Sequence, residues 1–532
     1  MDILQSFKED SIIALRKLLP IGSKTIIFDP ATVDIINLIV STTTLKSWNV
    51  VKFHVIENDP VITTKHVIFI LKPSIKVCQQ VASIISKYKR LYHIIFLPNK
   101  NIQCERVFEA EGVWSFITIS VLPITFLPAK CGSSIPNHGI LSMENDLLKK
   151  VIIDYNNLPL LQSVDAIIKI QGKYGKLPII QGIGYFSLFI TEELLKQSQH
   201  LNNPLPSKIG RLILIDRQCD LITPLLSPIT YGGMVNKNDI VYDTLKDLNI
   251  YHVGEVLNHK LTLSNKVYKD YDDKDFNKIK DFVFTEKQYP QKLLIKHHAL
   301  IKNIIDKIKI SNTLDLEQNL LLGVADFKLL LDLPPLEMTR LLCLYYLTSN
   351  KHLLTLTKQI NYDTFVEQMI NHYGPTFLFE HLKAILPQRD HWDWSKIQKD
   401  FSLLPVNTEN DISTVLEGYA PLSCRLVEMA LLTPFHKFTK AKQNDIYQSW
   451  GENNKRIKKL KMPHFHLVQE TEFESMSDNQ LEELSSTIMV MFIGGITYNE
   501  ISCLNYLQTL NPNNQIIIAS TSIITDFIKT LS

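Results

Sequence analysis

The sequence predicts an α/β plus α protein, with two parallel-sheet α/β domains and a large, mainly helical domain inserted into the second. Three observations support this fold class. Short apolar runs alternate with helix-like segments over the first 130 residues. A buried strand at residues 211–216 and a strand–helix–strand unit at residues 487–519 both lack neighbouring strands to pair with. The long stretch between these two segments has mostly helical periodicity, which favours an insertion.

The first α/β domain is predicted at residues 1–130. Strands that are continuously apolar and separated by helices are typical of a parallel sheet buried on both faces. Helical segments are predicted at residues 31–46 and 75–89. The predicted strands are residues 24–28, 51–55, 67–71, 92–97 and 114–119.

The second α/β domain is predicted from strands without partners. Residues 144–199 have a helical pattern, and the strand at 211–216 follows them. Near the C-terminus, a strand at 487–493 is followed by a glycine turn and by Thr497-x-x-Glu500, a capping-box pattern that opens a helix to Leu510. A second strand is predicted at 515–519. Two parallel strands cannot bury both faces alone, so we expect 487–493 to pair with 211–216. The second domain is then 131–244 with 484–532, and the helical third domain is 245–483.

The composition limits the function classes. The chain has 532 residues, and its 56 Lys+Arg and 54 Asp+Glu leave a net charge of only +2. This balance argues against nucleic acid as a main partner. The seven cysteines are scattered without a C-x-x-C motif, which predicts reduced thiols in a cytosolic setting. The sequence has no signal-peptide or spanning pattern, so we expect contact with membranes only through partner proteins.

Two segments are predicted to be linkers. Residues 202–206 are rich in asparagine and proline, and residues 455–483 run from basic to acidic. Opposite charges close in sequence favour a surface loop. The basic run lacks interleaved aromatic residues, so nucleic-acid binding is disfavoured there.

Two glycine pairs are candidate nucleotide-binding turns. Gly182 and Gly184 form a G-x-G, but Ser187 stands where a dinucleotide fingerprint has its third glycine. Gly494 and Gly495 lie between a strand and a helix, where backbone N–H groups can hold an anion. No Lys-Ser/Thr follows them, so tight packing of the turn is favoured over a nucleotide-binding enzyme, which stays the alternative.

Other candidate catalytic residues are weakly supported. Asp216 and Asp220 follow a strand end, where carboxylates are often functional, but Arg217 between them favours an ion pair or a helix cap. His464 and His466 have no third ligand nearby in the sequence, and Cys219 and Cys424 have no evident histidine partner. The chain therefore resembles an interaction protein more than an enzyme, and we expect no cofactor.

An apolar stripe with helical spacing lies just past the middle of the chain. Apolar residues recur at helical spacing between residues 293 and 308, with lysines at 292, 296, 302, 307 and 309 on either side. A packed helix with a solvated back is the favoured interpretation.

Three segments resemble the signatures of SM proteins, the Sec/Munc-like, syntaxin-binding family. Residues 214–224 with 230–233 resemble the IDR-x-x-D-x-x-TP … TYEG signature, residues 418–427 the GYAPLS-x-RL stretch of the vacuolar protein-sorting branch, and residues 492–501 the F-I-G-G-x-T-x-x-E-I stretch. They occur in the family's order, and the SM subunit of the HOPS and CORVET tethering complexes is the closest resemblance. The family-motif residues are Asp216, Arg217, Asp220, Thr223, Pro224, Tyr231, Gly494, Gly495, Thr497 and Glu500.

The resemblance implies an arch-shaped, three-domain protein without enzymatic activity. It implies binding to SNARE proteins of the syntaxin type and the R type, and guidance of their assembly into a four-helix bundle before membrane fusion. It also implies a solenoid partner subunit, and a cytoplasmic protein that is peripheral on late endosome and vacuole or lysosome membranes.

Candidate contact residues follow from the resemblance. Helices around residues 293–309 and 315–331 are candidate arms of a SNARE-aligning hairpin, with Leu293, Leu300, Ile304 and Ile308 as candidate contacts. The candidate partner-subunit contacts are Gly418, Tyr419, Pro421 and Leu422, for which a tight internal turn is an equal alternative.

The sequence departs from the family at two points. The family's Tyr-Glu-Gly is Tyr231-Gly232-Gly233, and Asn236 and Lys237 replace acidic residues that often follow. A polar contact made there in relatives is expected to be missing. Residues 246–287 are also predicted to contain compact linkers, so contacts that peripheral loops make in relatives are not expected here.

Overall fold

A computed structural model describes most of the chain, in two compact units. Unit 1 comprises residues 1–131 with 139–143, and unit 2 comprises the remaining residues of the chain. The predicted division of unit 2 into an α/β domain and a helical domain stays a prediction. The described residues are 3–56, 62–88, 91–129, 139–144, 147–198, 207–235, 239–269, 278, 280, 290–323, 333–348, 393–406, 409–431, 465–469 and 486–528.

Unit 1 contains a five-stranded, fully parallel sheet in the order β2-β1-β3-β4-β5. All five predicted strands are confirmed, although the last begins later, because Trp114–Phe116 is a 3₁₀ turn. The strands are β1 Lys24–Phe28, β2 Val50–Val55, β3 His66–Leu71, β4 Tyr92–Phe96 and β5 Ile117–Val121. A short antiparallel pair follows, β6 Leu127–Ala129 with β7 Ile140–Ser142.

Helices cover both faces of this sheet, which explains its continuously apolar strands. Ile26, Ile68 and Ile95 belong to the core on one face, whereas Ile27 and Phe69 belong to the core on the other. The helices of unit 1 are α1 Ile3–Leu18, α2 Pro30–Ile39, α3 Thr42–Ser47, α4 Ile75–Lys87 and α5 Ile102–Ala110.

The helix predicted at residues 31–46 is two helices. Val40 is extended, and the Ser41 side chain accepts a hydrogen bond from the Thr44 amide, which starts α3. Asp29 caps α2 by accepting from the Ala31 amide. Serine and threonine favour caps over helix interiors because their side chains compete for backbone groups, so the Ser-Thr run at 41–44 marked the break.

Unit 2 contains a sheet in which four parallel strands and one antiparallel edge strand follow the order β10-β8-β9-β11-β13. The predicted pairing is confirmed, since Ile488 of β11 lies opposite Arg211 of β9 and Ile493 lies opposite Asp216. The strands of this sheet are β8 Ile179–Ile183, β9 Arg211–Asp216, β10 Phe465–Gln469, β11 Thr487–Ile493 and β13 Gln515–Ser520. The short strands β12 Ile496–Thr497 and β14 Ile523–Ile524 pair with each other in a separate two-stranded sheet.

The five-residue strands β8 and β10 of unit 2 were missed by the sequence prediction, as were the short strands β7, β12 and β14. Residues 144–199 were read as helical, but all five residues of β8 are buried in the sheet between β9 and β10. Pro178 made the following residues look like a poor strand in the sequence. Proline is nevertheless tolerated where a strand starts. The predicted linker at 455–483 contains β10, which pairs with β8, and the predicted linker at 202–206 lies outside the described residues.

The long segment after β9 is mainly helical where it is described, as predicted. Its helices begin near the end of β9 and continue to Leu431. The helices of unit 2 are α6 Leu158–Tyr174, α7 Tyr185–Ser198, α8 Tyr231–Met234, α9 Ile240–Leu245, α10 Ile250–Lys269, α11 Gln291–Ser311, α12 Thr313–Leu321, α13 Pro335–Thr348, α14 Trp394–Asp400, α15 Leu422–Leu431 and α16 Tyr498–Leu510. Among the described helices, none combines the length and the apolar character that crossing a bilayer requires.

The apolar stripe at residues 293–308 packs as predicted. Leu294 and Ile301 of α11 are fully buried in a core shared with Val253 and Leu257 of α10. The five flanking lysines are exposed to solvent. This arrangement matches the favoured interpretation of a packed helix with a solvated back.

Candidate functional site

The three family-like segments fold into one buried polar network. The first follows β9, the second begins α15, and the third connects β11 to α16. Side chains from all three meet around Arg217 and Glu500, which lie 283 positions apart in the chain. We refer to Arg217, Asp220, Thr223, Tyr419, Ser423, Thr497 and Glu500 as the motif network.

Arg217 and Glu500 form the centre of the motif network. Both side chains are completely buried, and the guanidinium donates two hydrogen bonds of 2.8 Å to the two carboxylate oxygens. The Arg217 Nε also donates to the Asp220 carbonyl at 2.9 Å. Burial alone would lower the pKa of Arg217, but the adjacent Glu500 carboxylate raises it above its ordinary value. The pair is therefore a buried salt bridge that joins the loop after β9 to α16.

Glu500 also closes the predicted capping box of α16, which is confirmed. Its Oε2 accepts from the Thr497 amide at 2.9 Å, and the Thr497 hydroxyl accepts from the Glu500 amide at 3.2 Å. The Ser423 hydroxyl donates to the second oxygen, Oε1. Each carboxylate oxygen thus has several donors, as a buried charge requires.

Asp220 joins the start of α15 to the loop after β9. Its carboxylate accepts from the Thr223 amide at 3.0 Å, the Thr223 hydroxyl at 2.6 Å and the Ser423 amide at 3.2 Å. The Thr223 and Tyr419 hydroxyls share a hydrogen bond of 2.9 Å. Burial raises the pKa of Tyr419 well above its ordinary value, so its hydroxyl stays neutral.

Asp216 has a separate task as the N-terminal cap of α7. Its two carboxylate oxygens accept from the Phe186 and Ser187 amides at 2.7 and 2.8 Å. Gly184 has φ +105°, and a side chain there would overlap the Asp216 carboxylate. The G-x-G therefore allows close approach of a helix cap, and the cap interpretation of Asp216 is the one the geometry supports.

The pH dependence of stability should carry a signature of Asp216. Burial raises its pKa to about 8, against the opposing effect of the two amide donors, whereas an unfolded aspartate titrates near 4. The native chain then holds an extra proton between these pH values, so the free energy of unfolding falls as the pH rises from about 4 to about 8. We expect Asp216→Asn to flatten this decline in urea titrations. The control variant Asp154→Asn changes an exposed carboxylate and should show the same decline as the original chain. If the free energy of unfolding of Asp216→Asn varied with pH in parallel with that of the original chain, the raised pKa would not belong to Asp216.

The Gly494–Gly495 turn has no room for a phosphate. A side chain on Gly494 would meet Leu148 Cδ2 at 2.8 Å, and one on Gly495 would meet Ile524 Cγ1 at 2.6 Å. The Gly494 amide donates to the Thr521 hydroxyl at 2.9 Å, and the Thr497 amide is taken by Glu500. The predicted packing turn, rather than the alternative nucleotide site, describes this geometry.

Three of the four candidate partner-subunit residues are buried within unit 2. Tyr419 is only 5% exposed, and Pro421 and Leu422 are also covered. Gly418 is half-buried and has φ +102° with open space beside it. The internal-turn alternative therefore explains these three side chains, whereas a partner subunit would meet the surface at Gly418.

The candidate hairpin residues lie on α11, which packs along α10. Leu293, Leu300, Ile304 and Ile308 are half-buried against the core that α10 and α11 share. The second candidate arm corresponds to α12, which ends at Leu321, and residues 324–331 lie outside the described residues. The SNARE-contact role of these four residues stays a prediction.

Tyr231 connects its motif to α11. Its hydroxyl pairs with His297 Nδ1, and His297 Nε2 lies 3.0 Å from both carboxylate oxygens of Asp239. Gly232, which stands where the family motif has glutamate, fits this packing. A side chain at this position would meet the Lys246 carbonyl at 2.9 Å. Asn236 and Lys237, the other departure, lie outside the described residues.

A second buried network was missed by the sequence prediction. Arg340 of α13 pairs with Glu317 of α12 at 2.6 Å, and Glu317 accepts from the Ser227 amide and hydroxyl. Glu317 and Arg340 lie 23 residues apart on different helices, so no local spacing marks the contact. The one sequence signal for the Glu317–Arg340 contact is that Glu317, a charged residue, occupies a position on the apolar side of its helix.

Metal and thiol chemistry have no site among the described residues. No group of three histidine, cysteine or acidic side chains there is arranged to hold a metal ion. Six cysteines, including Cys219 and Cys424, are buried free thiols. His464 lies outside the described residues, and His466 lies in β10.

Comparison with known proteins gives the same assignment over nearly the whole chain. The model of the Sec1 family matches residues 24–529. The vacuolar protein-sorting-associated protein 33 homolog of Arabidopsis thaliana is 23% identical, over 94% of this chain and 92% of that protein. Vacuolar protein sorting-associated protein 33A of Rattus norvegicus is 24% identical over the same shares.

Solved structures of similar fold cover both chains almost completely. The SM protein Vps45 in complex with the Qa SNARE Tlg2 has a TM-score of 0.59 at 16% identity, covering 100% of this chain and 98% of that one. The Unc18–syntaxin 1 complex from Monosiga brevicollis has a TM-score of 0.58 at 13% identity, covering 98% of each chain. These matches confirm the predicted fold class.

Proposed function

Because the chain belongs to the Sec1 family, we propose that it binds SNARE proteins and guides their assembly during vesicle docking and fusion. The members of this family are non-enzymatic regulators, and the chain is not an enzyme. The family match over residues 24–529 is the observation that carries the proposal. The motif network supports it, because all three family-like segments fold together as one unit.

The buried contacts of unit 2 support such a role. SNARE motifs are amphipathic helices, and a protein that aligns them needs a surface that makes helix-in-groove contacts. The buried Arg217–Glu500 salt bridge and the Ser423 hydroxyl connect α15 and α16 to the loop after β9. The α10–α11 pair is tied to the same unit through Tyr231 and His297.

The finer proposal places the chain in a HOPS/CORVET-like tethering complex at the late endosome and vacuole or lysosome. Its support is that the similar proteins from Arabidopsis thaliana and Rattus norvegicus are vacuolar protein-sorting proteins. The partners would then be a syntaxin-type SNARE, an R-type SNARE and a solenoid subunit that meets the surface beside Gly418.

A direct binding experiment tests both levels of the proposal. Purified full-length chain is incubated with immobilised syntaxin-type SNARE, R-type SNARE and solenoid subunit, with a scrambled SNARE helix of the same composition as the control. We expect retention by at least one SNARE and by the solenoid subunit. Binding to SNAREs alone would reject the tethering-complex role, and binding to no SNARE would reject SNARE guidance.

A further inference from the structure

The solvent-exposed face of α11 concentrates positive charge. The helix contains five lysines and a single acid, Asp306, so it carries a net charge of +4 where the whole chain carries +2. All six side chains are exposed. None of the five lysines forms an ion pair among the residues that the structure describes. We call Lys292, Lys296, Lys302, Lys307 and Lys309, with Ile295 and Ile310, the basic face.

The geometry keeps the basic face open along the helix. The apolar stripe of α11 is turned into the core shared with α10, which leaves the opposite side to water. At 1.5 Å per residue the basic face extends for roughly 27 Å. The Gln291 side chain contacts Asn265 of α10 at 2.7 Å, which brings the exposed Lys266 and Lys269 to the same end.

Two apolar side chains stand among the lysines. Ile295 is 55% exposed and Ile310 is 85% exposed. A helix that docks in a groove is recognised through closely spaced apolar anchors, and two isoleucines 15 positions apart do not provide them. Lysine ammonium groups are flexible point charges that do not select one geometry, unlike the planar fork of arginine.

We propose that the basic face docks on membranes rich in anionic lipid. A juxtamembrane cluster of lysines is attracted to such a surface by about 1 kcal/mol per residue, and isolated apolar side chains can enter the headgroup region. It differs from the prediction that the chain reaches membranes only through partners, which considered only signal-peptide and membrane-spanning patterns. It is independent of the SNARE proposal.

Vesicle flotation with the full chain tests this docking. Vesicles of phosphatidylcholine alone are compared with vesicles that also contain phosphatidylserine, at about 50 mM and about 300 mM salt. We expect binding only to the anionic vesicles, weakened at high salt. The triple variant Lys296→Glu, Lys302→Glu, Lys307→Glu should lower the vesicle affinity by roughly a hundredfold, since each lysine contributes roughly a factor of five.

A matched control removes the same charge from another surface. Lys46, Lys65 and Lys76 are exposed in unit 1, and their triple replacement by glutamate should leave vesicle binding unchanged. Equal losses in both variants, or no binding of the original chain to anionic vesicles at low salt, would overturn the proposal. The proposal would also be overturned if the basic-face variant bound vesicles normally but lost SNARE binding. That result would assign the basic face to a protein partner.

Discussion

Replacing Arg217 by alanine should lower the free energy of unfolding by about 3–5 kcal/mol, because it leaves the Glu500 carboxylate buried without its counter-charge. The two side chains are completely buried and joined by two hydrogen bonds of 2.8 Å. Removing the guanidinium also frees the Asp220 and Gly495 carbonyls, to which it donates. The change is measured as the shift of the urea denaturation midpoint.

An exposed ion pair provides the control for this prediction. Lys196 and Glu193 lie 2.6 Å apart on the surface of α7, and exposed pairs contribute little to stability. Lys196→Ala should therefore leave the midpoint unchanged. The double variant Arg217→Met with Glu500→Gln should recover part of the loss, because glutamine keeps a cap acceptor for Thr497 without a charge. Equal midpoints for Arg217→Ala and Lys196→Ala would contradict the central role of the pair.

Gly495→Ala should destabilise the chain by about 2–5 kcal/mol, from two separable causes. Gly495 has φ +102°, a backbone conformation that costs an L-residue about 1–2 kcal/mol. The new methyl group would also lie 2.6 Å from Ile524 Cγ1, and overpacking of this kind costs about 1–3 kcal/mol. Midpoints of urea denaturation give the total.

Gly418 separates the two causes because it has the same φ of +102° with nothing within 4 Å of the added carbon. Gly418→Ala should therefore show only the backbone cost of about 1–2 kcal/mol. The difference between the variants then measures how tightly the turn after β11 is packed. Equal losses in both would mean that this turn has spare room, and the case against an anion site there would fail.

The periodic elements of the fold could be predicted from the sequence. The strands β1, β3 and β4 of unit 1 and the strands β9 and β11 of unit 2 are buried on both faces, so their apolar runs are continuous and distinctive. The Thr497–Glu500 capping box could also be predicted from the sequence, since helix geometry fixes the spacing of its two residues. The strands β8 and β10 were missed because a proline precedes one and charged runs flank the other.

The candidate site could be predicted only as a set of motifs. The segments around Arg217, Ser423 and Glu500 were recognised separately, but their convergence depends on tertiary contacts that no local spacing encodes. Tyr419 was predicted as either a partner-subunit contact or part of an internal turn, and its burial with a hydrogen bond to Thr223 favours the internal turn. The Glu317–Arg340 pair had no sequence signal beyond its charges.

The pairing of β9 with β11 has a consequence for synthesis on the ribosome. At a translation rate of about 5–20 residues per second, Glu500 emerges roughly 15–60 s after Arg217, its partner 283 positions earlier. During that interval one edge of β9 has no strand to pair with, and Arg217 has no carboxylate from Glu500. The five-stranded sheet of unit 1, in contrast, needs only residues 24–121. The sheet of unit 1 can therefore form while the sheet of unit 2 still lacks strands β10, β11 and β13.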